Sequence, residues 1–170
     1  TDPVDPDDIL VGDDRPIVRI DGVESLNETA ADGSANTATY TVSIDKASAV
    51  DTVVSYTITD GTTEGSADYT APVTQTVTIP AGSLTATIEI PLVDDGIYEG
   101  AENLTIAIDS VTGNTALINT NNDSVTTTIY DDGTTNGTDP VDPDDILVGD
   151  DRPIVRIDGI ESLNETAADG

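Results

Sequence analysis

The chain lacks several residue types on which common functional sites depend. Its 170 residues include no Cys, His, Met, Phe or Trp, and only 5 are Lys or Arg. Without Cys there are no disulfides or thiolate metal sites, and without His there is no ordinary zinc site or imidazole-based catalytic triad. Hydrolysis by paired carboxylates stays open, because it needs only Asp and Glu.

The second scarcity is positive charge. Thirty-four acidic residues against 5 basic ones give a net charge of -29. Nucleic acids and anionic membrane surfaces are therefore not expected as partners, because both are bound through Lys and Arg. Carboxylate oxygens are abundant, and they suit hard cations such as Ca²⁺.

The chain also has no apolar run of the roughly 18 to 20 residues that a membrane helix needs. Its opening residues TDPVDPDD do not follow the pattern of a signal peptide. We expect a soluble fragment whose targeting signals lie elsewhere.

What the chain does contain is a long internal repeat. Residues 1–33 reappear at 138–170 with a single change, Val23 to Ile160, so the period is 137 residues. Solenoid repeats have periods of about 20 to 50 residues, whereas 137 residues is the size of a whole domain. The sequence therefore predicts a tandem array of near-identical domains, in which each repeat has identical neighbours as partners.

Between the two copies, apolar and polar residues alternate with the period of two that is typical of half-buried strands. Thr, Val and Ile dominate these segments, and turn residues such as Asp60-Gly61 and Gly113-Asn114 separate them. Seven short strands in about 118 residues indicate an all-β, antiparallel sandwich of immunoglobulin type. The predicted strands are 17–20, 38–44, 54–58, 76–79, 84–90, 104–108 and 125–130.

The repeat predicts four segments. Residues 1–14 and 134–151 are acidic linkers in which Asp-Pro steps favour extended backbone, and like charges extend them further. Residues 15–133 form the complete sandwich. Residues 152–170 begin the next repeat and lack the remaining strands, so they should be loose or borrow a partner strand.

Acidic residues cluster at the ends of the predicted strands. In a sandwich, strand ends of one polarity meet at one pole, where so many carboxylates would repel each other unless cations neutralise them. We therefore expect a site for several Ca²⁺ ions, although Asp is also common in turns that bind nothing. The eight carboxylates are Glu28, Asp68, Asp94, Asp95, Glu99, Glu102, Asp131 and Asp132.

The strings VDDGIYEGAENLTIAI and TTTIYDDG, with DYT after a Gly-Ser-Ala loop and a PAGS turn before LTATIEI, resemble the Calx-β domain. The resemblance covers most of residues 16–133 and implies a seven-stranded sandwich that binds Ca²⁺ at one end. It implies the same eight carboxylates as ligands and adds the backbone carbonyl of Ile97. The family often ends in three acidic residues, and here the third is Gly133, which puts one ion site in doubt.

The linker acids Asp150 and Asp151 are a further candidate. They either form a solvated charge run or supply oxygens to an ion at the junction between repeats. Tandem, acidic, Cys-free arrays of such domains resemble the extender region of large repeats-in-toxin adhesins. That class is secreted by Gram-negative bacteria through type I machinery, although its nonapeptide repeats are absent from this chain.

The leading hypothesis is a non-enzymatic, Ca²⁺-stiffened spacer that holds an adhesive domain away from a bacterial cell surface, with no small-molecule substrate. The alternative is a Ca²⁺-dependent module that binds sugar or protein. The scarcity of aromatic residues speaks against that alternative, because aromatics anchor most such sites. A carboxylate-based hydrolase is the third hypothesis, and it is weakened because carboxylates crowded onto metal are poor general acids.

Overall fold

The computed structural model describes residues 15–30 and 33–131, with the isolated residues 153, 155 and 157. The two predicted linkers and most of the second copy lie outside these residues, so the predicted segment boundaries stay predictions. In the described ranges the strands are β1 Ile17–Gly22, β2 Ser25–Asn27, β3 Thr37–Ile44, β4 Thr52–Asp60, β5 Thr76–Ile79, β6 Thr85–Pro91, β7 Ala101–Thr112, β8 Leu117–Ile118 and β9 Ser124–Tyr130. A short 3-10 helix spans Gly65–Ala67. None of the described helices is long and apolar enough to cross a membrane.

The strands form two sheets that pack face to face. One has the order β6-β3-β1-β8 and the other β2-β9-β7-β4-β5. The predicted all-β sandwich is therefore confirmed, and all seven predicted strands are present. The structure adds β2 and β8, which pair in parallel with β9 and β1. With three and two residues, they are too short to show an alternating pattern.

The core follows the predicted alternation. On β3, Ala38, Tyr40, Val42 and Ile44 are buried while the residues between them are more exposed. In the predicted strand 84–90 the alternation puts Leu84 on the same face as Ile88 and Ile90, but Leu84 is 49% exposed. It precedes the first residue of β6 and belongs to the turn after Pro80, where its carbonyl accepts a hydrogen bond from Ile44.

Tyr40 joins the two sheets through a polar contact in the core. Its hydroxyl lies 2.6 Å from Thr127 Oγ1, and Thr127 donates a hydrogen bond to the carbonyl of Val23. Gly22 lies against the Tyr40 ring so closely that an added Cβ would be 2.3 Å from Cδ1. The turn from β1 to β2 thus depends on a glycine beneath an aromatic ring.

The chain enters and leaves the domain at opposite poles. At the entry pole, the Ile17 backbone N–H donates to Asp45 Oδ1, just after β3 ends. At the exit pole, β9 ends at Tyr130, whose carbonyl accepts a hydrogen bond from Glu28. Asn36 donates to the Glu28 carbonyl just before β3 begins, so β3 runs from the exit pole to the entry pole, about 25 Å for eight residues.

Replacing Tyr40 with Phe should lower the free energy of unfolding by about 1 kcal/mol, because Thr127 loses a buried hydrogen-bonding partner. Urea unfolding followed by circular dichroism measures the change. Tyr98→Phe is the matched control, since Tyr98 is 43% exposed, and it should change stability by less than about 0.5 kcal/mol. Equal effects of the two substitutions would contradict a role for the Tyr40 hydroxyl in joining the sheets.

Candidate metal centre

Four chain segments bring carboxylates together at the exit pole. Of the eleven predicted ligands, Asp132, Asp150 and Asp151 lie outside the described residues. The other eight all lie at this pole: Glu28 after β2, Asp68 in the loop after β4, Asp94, Asp95, Ile97 and Glu99 between β6 and β7, Glu102 in the first residues of β7, and Asp131 after β9. Their role as ligands stays a prediction.

Backbone hydrogen bonds hold these segments against one another. The Val93 N–H donates to the Asp68 carbonyl at 2.9 Å, which joins the loop after β4 to the chain leaving β6. The Glu99 N–H donates to Asp131 Oδ2 at 2.7 Å, which joins the β6–β7 loop to the end of β9. The carboxylates are therefore positioned by the sandwich rather than by one loop.

The first group of carboxylates consists of Asp68, Glu99 and Glu102. One oxygen from each lies within 4.8 Å of the others, and the three range from buried Asp68 to exposed Glu99. Asp68 follows the 3-10 helix directly, and its N–H donates to the Gly65 carbonyl. Its Oδ2 accepts a hydrogen bond from the Glu64 N–H, so one turn of the chain holds both the backbone and the side chain of Asp68.

Burial and the neighbouring charges make two members of this group, Glu99 and Glu102, reluctant to ionise. Desolvation, together with the charges of Asp68, Glu99 and Glu64, raises the pKa of Glu102 to about 7. Desolvation and the neighbouring Asp68, Asp95 and Glu64 also raise the pKa of Glu99. A cation placed among these oxygens would remove the repulsion that raises both values.

The second group contains Glu28 and Asp131, both buried, with Asp94 and Asp95 beside them. The pKa of Glu28 is raised to about 8, mainly because its carboxyl group is desolvated. The charge and hydrogen bonding of Asp131 and the charges of Asp94 and Asp95 raise it further. Asp94 is positioned by the Thr29 hydroxyl, which donates to its Oδ2 at 2.9 Å. Asp95 acts electrostatically on both Glu28 and Glu99, so it stands between the two groups.

The loop between β6 and β7 turns sharply at two glycines. Gly96 and Gly100 have φ angles of 74° and 83°, in the left-handed region that glycine adopts without strain. Between them, the Ile97 N–H donates to Asp95 Oδ1 at 2.9 Å, while the side chains of Ile97 and Tyr98 are exposed. The loop thus carries three exposed carboxylates, Asp94, Asp95 and Glu99, together with the exposed side chains of Ile97 and Tyr98.

Glu64 is a residue of this pole that the sequence analysis missed. Its charge contributes to the raised pKa values of both Glu99 and Glu102, and its N–H binds Asp68. The available signal was its spacing in TTEGSADYT, four residues before Asp68, but a lone Glu among Thr and Gly does not stand out. We add Glu64 to the candidate ligands.

Tyr69, which follows Asp68 in the sequence, is a core residue. It is 5% exposed, and its hydroxyl donates to Asp60 Oδ1 at 2.6 Å. Burial, assisted by the charges of Asp60 and Asp68, raises its pKa to about 12. Tyr69 therefore anchors the loop that carries Asp68 to the end of β4, through the bond to Asp60.

The donor set fits a hard divalent cation. All its side-chain donors are carboxylates, several are buried, and the described basic residues Arg15, Arg19 and Lys46 belong to the entry pole or to β1 and its neighbours. Six to eight oxygens at flexible geometry are what Ca²⁺ takes, whereas Mg²⁺ demands a stricter octahedron and retains water. The pole can therefore hold cations of this kind in two adjoining groups.

The profile of the Calx-beta domain family matches residues 19–133, about two thirds of the chain. The chain belongs to the Calx-beta family. The match covers every element that supplies a described carboxylate to the exit pole. No curated protein sequence matches the chain significantly.

Solved structures share the fold of this Calx-beta domain. CBD12 from CALX1.2 has a TM-score of 0.58 at 18% identity, over 68% of this chain and 45% of that one. The apo-form Calx CBD1 domain has a TM-score of 0.56 at 17% identity, over 68% of this chain and 96% of that one. The calcium binding domain CBD12 of CALX1.1 has a TM-score of 0.55 at 19% identity, over 67% of this chain and 46% of that one. The chain thus spans less than half of either CBD12 structure and nearly all of CBD1.

Without metal, the Calx-beta domain should lose stability as pH rises. Glu28 and Glu102 keep their protons in the folded state up to about pH 8 and 7, while in the unfolded chain they ionise near pH 4.5. Their contribution is complete below pH 4.5 and disappears as pH passes those folded-state values. In chelator, we expect the melting temperature to fall by roughly 5 to 10 °C from pH 5 to pH 9.

Glu28→Gln should flatten this pH dependence, because Gln is neutral throughout the range. Glu24→Gln, at an exposed position near β2, is the matched control and should leave the slope unchanged. Thermal unfolding by circular dichroism across pH measures both. If the melting temperature of Glu28→Gln falls with pH as steeply as that of the original chain, Glu28 ionises normally in the folded domain.

Proposed function

We propose that this domain binds Ca²⁺ at its exit pole and that tandem copies form a metal-stiffened spacer of a bacterial cell-surface adhesin. The spacer would project adhesive domains away from the cell for surface attachment or biofilm formation. The observation that carries the metal site is the convergence of buried Glu28, Asp68 and Asp131 with exposed carboxylates at one pole. One similar structure, CBD12 of CALX1.1, is described as a calcium binding domain, which supports the same assignment.

The chain geometry supports the spacer. Because the chain enters at one pole and leaves at the other, successive repeats follow one another lengthwise rather than folding back. Each repeat therefore adds its own length to the array. The near-identity of residues 1–33 and 138–170 also favours a structural role, since a ligand-binding array gains specificity from differences between its modules.

The position of the metal site explains how the spacer would stiffen. The carboxylates of the exit pole stand where the chain leaves the domain, and the following linker 134–151 is rich in Asp. We infer that ions at this pole draw oxygens from both the domain and the linker, including Asp132, Asp150 and Asp151. Carboxylates held on metal are poor general acids, so we infer binding rather than catalysis.

Secretion through type I machinery is consistent with the same chemistry. A domain destabilised by crowded carboxylates stays loose where Ca²⁺ is scarce inside the cell. It folds where Ca²⁺ is plentiful outside, because a ligand that binds only the folded state stabilises it. We therefore place the domain outside the cell, on the bacterial surface.

A Ca²⁺-dependent sugar- or protein-binding module is the second candidate. The observation that favours it is the exposure of Ile97 and Tyr98 on the loop that carries three of the carboxylates, Asp94, Asp95 and Glu99. A glycan array probed with the chain in Ca²⁺ and in chelator discriminates the two functions, because a pure spacer retains no glycan under either condition.

Calcium should raise the melting temperature by several degrees or more. Extracellular modules bind Ca²⁺ at about 0.1 to 1 mM, and a ligand at about 100 times its dissociation constant adds roughly 2.7 kcal/mol. Thermal unfolding with Ca²⁺, with Mg²⁺ and with chelator measures the effect. Identical melting curves in Ca²⁺ and chelator would refute the metal site.

Neutralising single carboxylates should separate ligands from bystanders. Glu102→Gln, Asp95→Asn and Glu64→Gln should each lower Ca²⁺ affinity by about tenfold or more, because each removes a charged oxygen from the exit pole. Glu89→Gln is the matched control, since Glu89 is exposed on the face of β6 and belongs to neither carboxylate group. Isothermal titration calorimetry gives the affinities, and equal losses at all four positions would contradict the site.

Calcium should also lengthen a chain that carries two complete repeats. Free of metal, we expect the 18 linker residues 134–151, which can span at most about 60 Å, to act as a flexible tether. With metal the two domains should hold one angle, so the maximum dimension from small-angle scattering should grow and its distribution sharpen. If the domains bind Ca²⁺ while the scattering stays unchanged, Ca²⁺ stabilises each domain without fixing the angle between domains, and the spacer mechanism fails.

A further inference from the structure

The first two strands of the domain fill a groove formed by strands that follow them in the chain. β1 lies between β3 and β8, and β2 lies at a sheet edge beside β9. Val18 and Ile20, which are 0% and 1% exposed, bring β1 into the core. The strands that border this groove belong to residues 37–130, whereas its occupant belongs to residues 17–27.

The groove holds its occupant through backbone groups as well as through apolar contacts. The Asn119 N–H donates to the Val18 carbonyl at 2.8 Å, and the Thr128 N–H donates to the Glu24 carbonyl at 2.9 Å. Such bonds do not depend on side chains. The groove can therefore accept any segment that has the same apolar residues at the same spacing.

The second copy of the repeated segment carries the residues that this groove requires. Residues 154–166 repeat residues 17–29 with one change, Ile160 in place of Val23. Val23 is only partly buried, so the groove does not fully enclose the one side chain that differs. The glycine that lies beneath the Tyr40 ring, where an added Cβ would be 2.3 Å from Cδ1, is repeated as well.

Apolar side chains of the second copy lie in solvent in this structure. Val155 and Ile157 are 90% and 96% exposed, although they match Val18 and Ile20 of the core. The surface that buries these two side chain types is the groove in residues 37–130, where the first copy is bound. The two copies therefore compete for the same groove.

We propose that the groove bordered by β3, β8 and β9 is a strand-exchange site, which accepts residues 154–166 of the following copy in place of residues 17–29. The occupant is a segment of the same chain. Exchange of an identical element preserves the contacts of the folded domain, so it changes the free energy of unfolding little. The incoming copy brings Glu165 to the position of Glu28, which keeps the second carboxylate group complete. The inference does not rest on the proposed function, because the exchange requires no metal.

The chain is long enough to make this exchange. β9 ends at the exit pole, and the second copy has to start at the entry pole, about 25 Å away by the length of β3. The 23 residues 131–153 can span at most about 75 Å. The first copy is tied to β3 by the 9 residues 28–36, and loop-closure entropy favours this shorter connection by roughly fourfold. The first copy therefore fills the groove in most molecules, and the second copy is a close competitor.

A buried charge placed in one copy at a time tests the exchange in the whole chain. Ile20→Asp puts an unpaired carboxylate in the core and should expel the first copy. Because the second copy then fills the groove, the melting temperature should fall by less than about 5 °C. Ile157→Asp is the matched control at an exposed position and should change it by less than about 1 °C.

The variant with both substitutions has no copy that fits the groove, and it should lose cooperative unfolding. Circular dichroism measures all three variants. If Ile20→Asp alone destabilises the chain as much as Ile20→Asp with Ile157→Asp, the second copy does not enter the groove and the exchange is refuted.

Disulfide trapping identifies the copy in the groove, because the sequence has no Cys of its own. Arg19 of β1 lies opposite Ser43 of β3, and the second-copy match of Arg19 is Arg156. Opposite residues of an antiparallel pair have Cα atoms about 4.5 to 5.5 Å apart, within the range of a disulfide. In the Ile20→Asp chain, Ser43→Cys should cross-link with Arg156→Cys at least about tenfold faster than with Glu161→Cys, whose match precedes β2 in the other sheet.

The cross-linked product should be a monomer on a non-reducing gel, because the occupant belongs to the same chain. Equal rates for the two cysteine pairs, or disulfides that form only between separate molecules, would overturn the proposal. The same preference is expected in Ca²⁺ and in chelator, so a failure of the metal site leaves this test intact.

Discussion

Repulsion between carboxylates at the exit pole is the constraint on which the rest of the structure depends. Oxygens of Asp68 and Glu102 lie within 4.8 Å, a distance at which two charges repel by about 3 kcal/mol at an effective dielectric near 20. That cost is comparable to a large part of a domain's stability, which is about 5 to 15 kcal/mol. The pole therefore takes up either protons or cations. Because the pKa values of Glu28 and Glu102 lie at about 8 and 7, both protonation and cation binding can relieve the repulsion near neutral pH.

The sandwich supplies what holds these carboxylates in place. Strands β2, β4, β6 and β9 end at the exit pole and β3 and β7 begin there, and backbone bonds such as Glu28 to Tyr130 and Val93 to Asp68 close the gaps between them. Loops alone would move apart under the repulsion. Because the loops are joined to strands with a common core around Tyr40, the cost of crowding is borne by the whole fold, and relief of that cost by a cation stabilises the whole fold.

The sequence was sufficient to predict the main strands and which carboxylates lie at the exit pole. It was not sufficient to predict how those carboxylates divide into two groups. Alternation predicted β3, β6 and β7 because one face of each is buried in the core. The two- and three-residue strands β8 and β2 had no such signal, since they form only against partners distant in sequence. Leu84 continued the alternation of β6 by one residue too many, because the alternation does not show where a turn ends.

The separation of the carboxylates into two groups was equally invisible in the sequence. It arises from the fold, which sets Glu28 beside Asp131, 103 residues further along the chain, and sets Asp68 beside Glu102, 34 residues further along. Glu64 escaped notice because its importance comes from one turn of 3-10 helix that brings its N–H to Asp68. Residue type predicts which side chains suit a cation, whereas only the fold decides which of them share one.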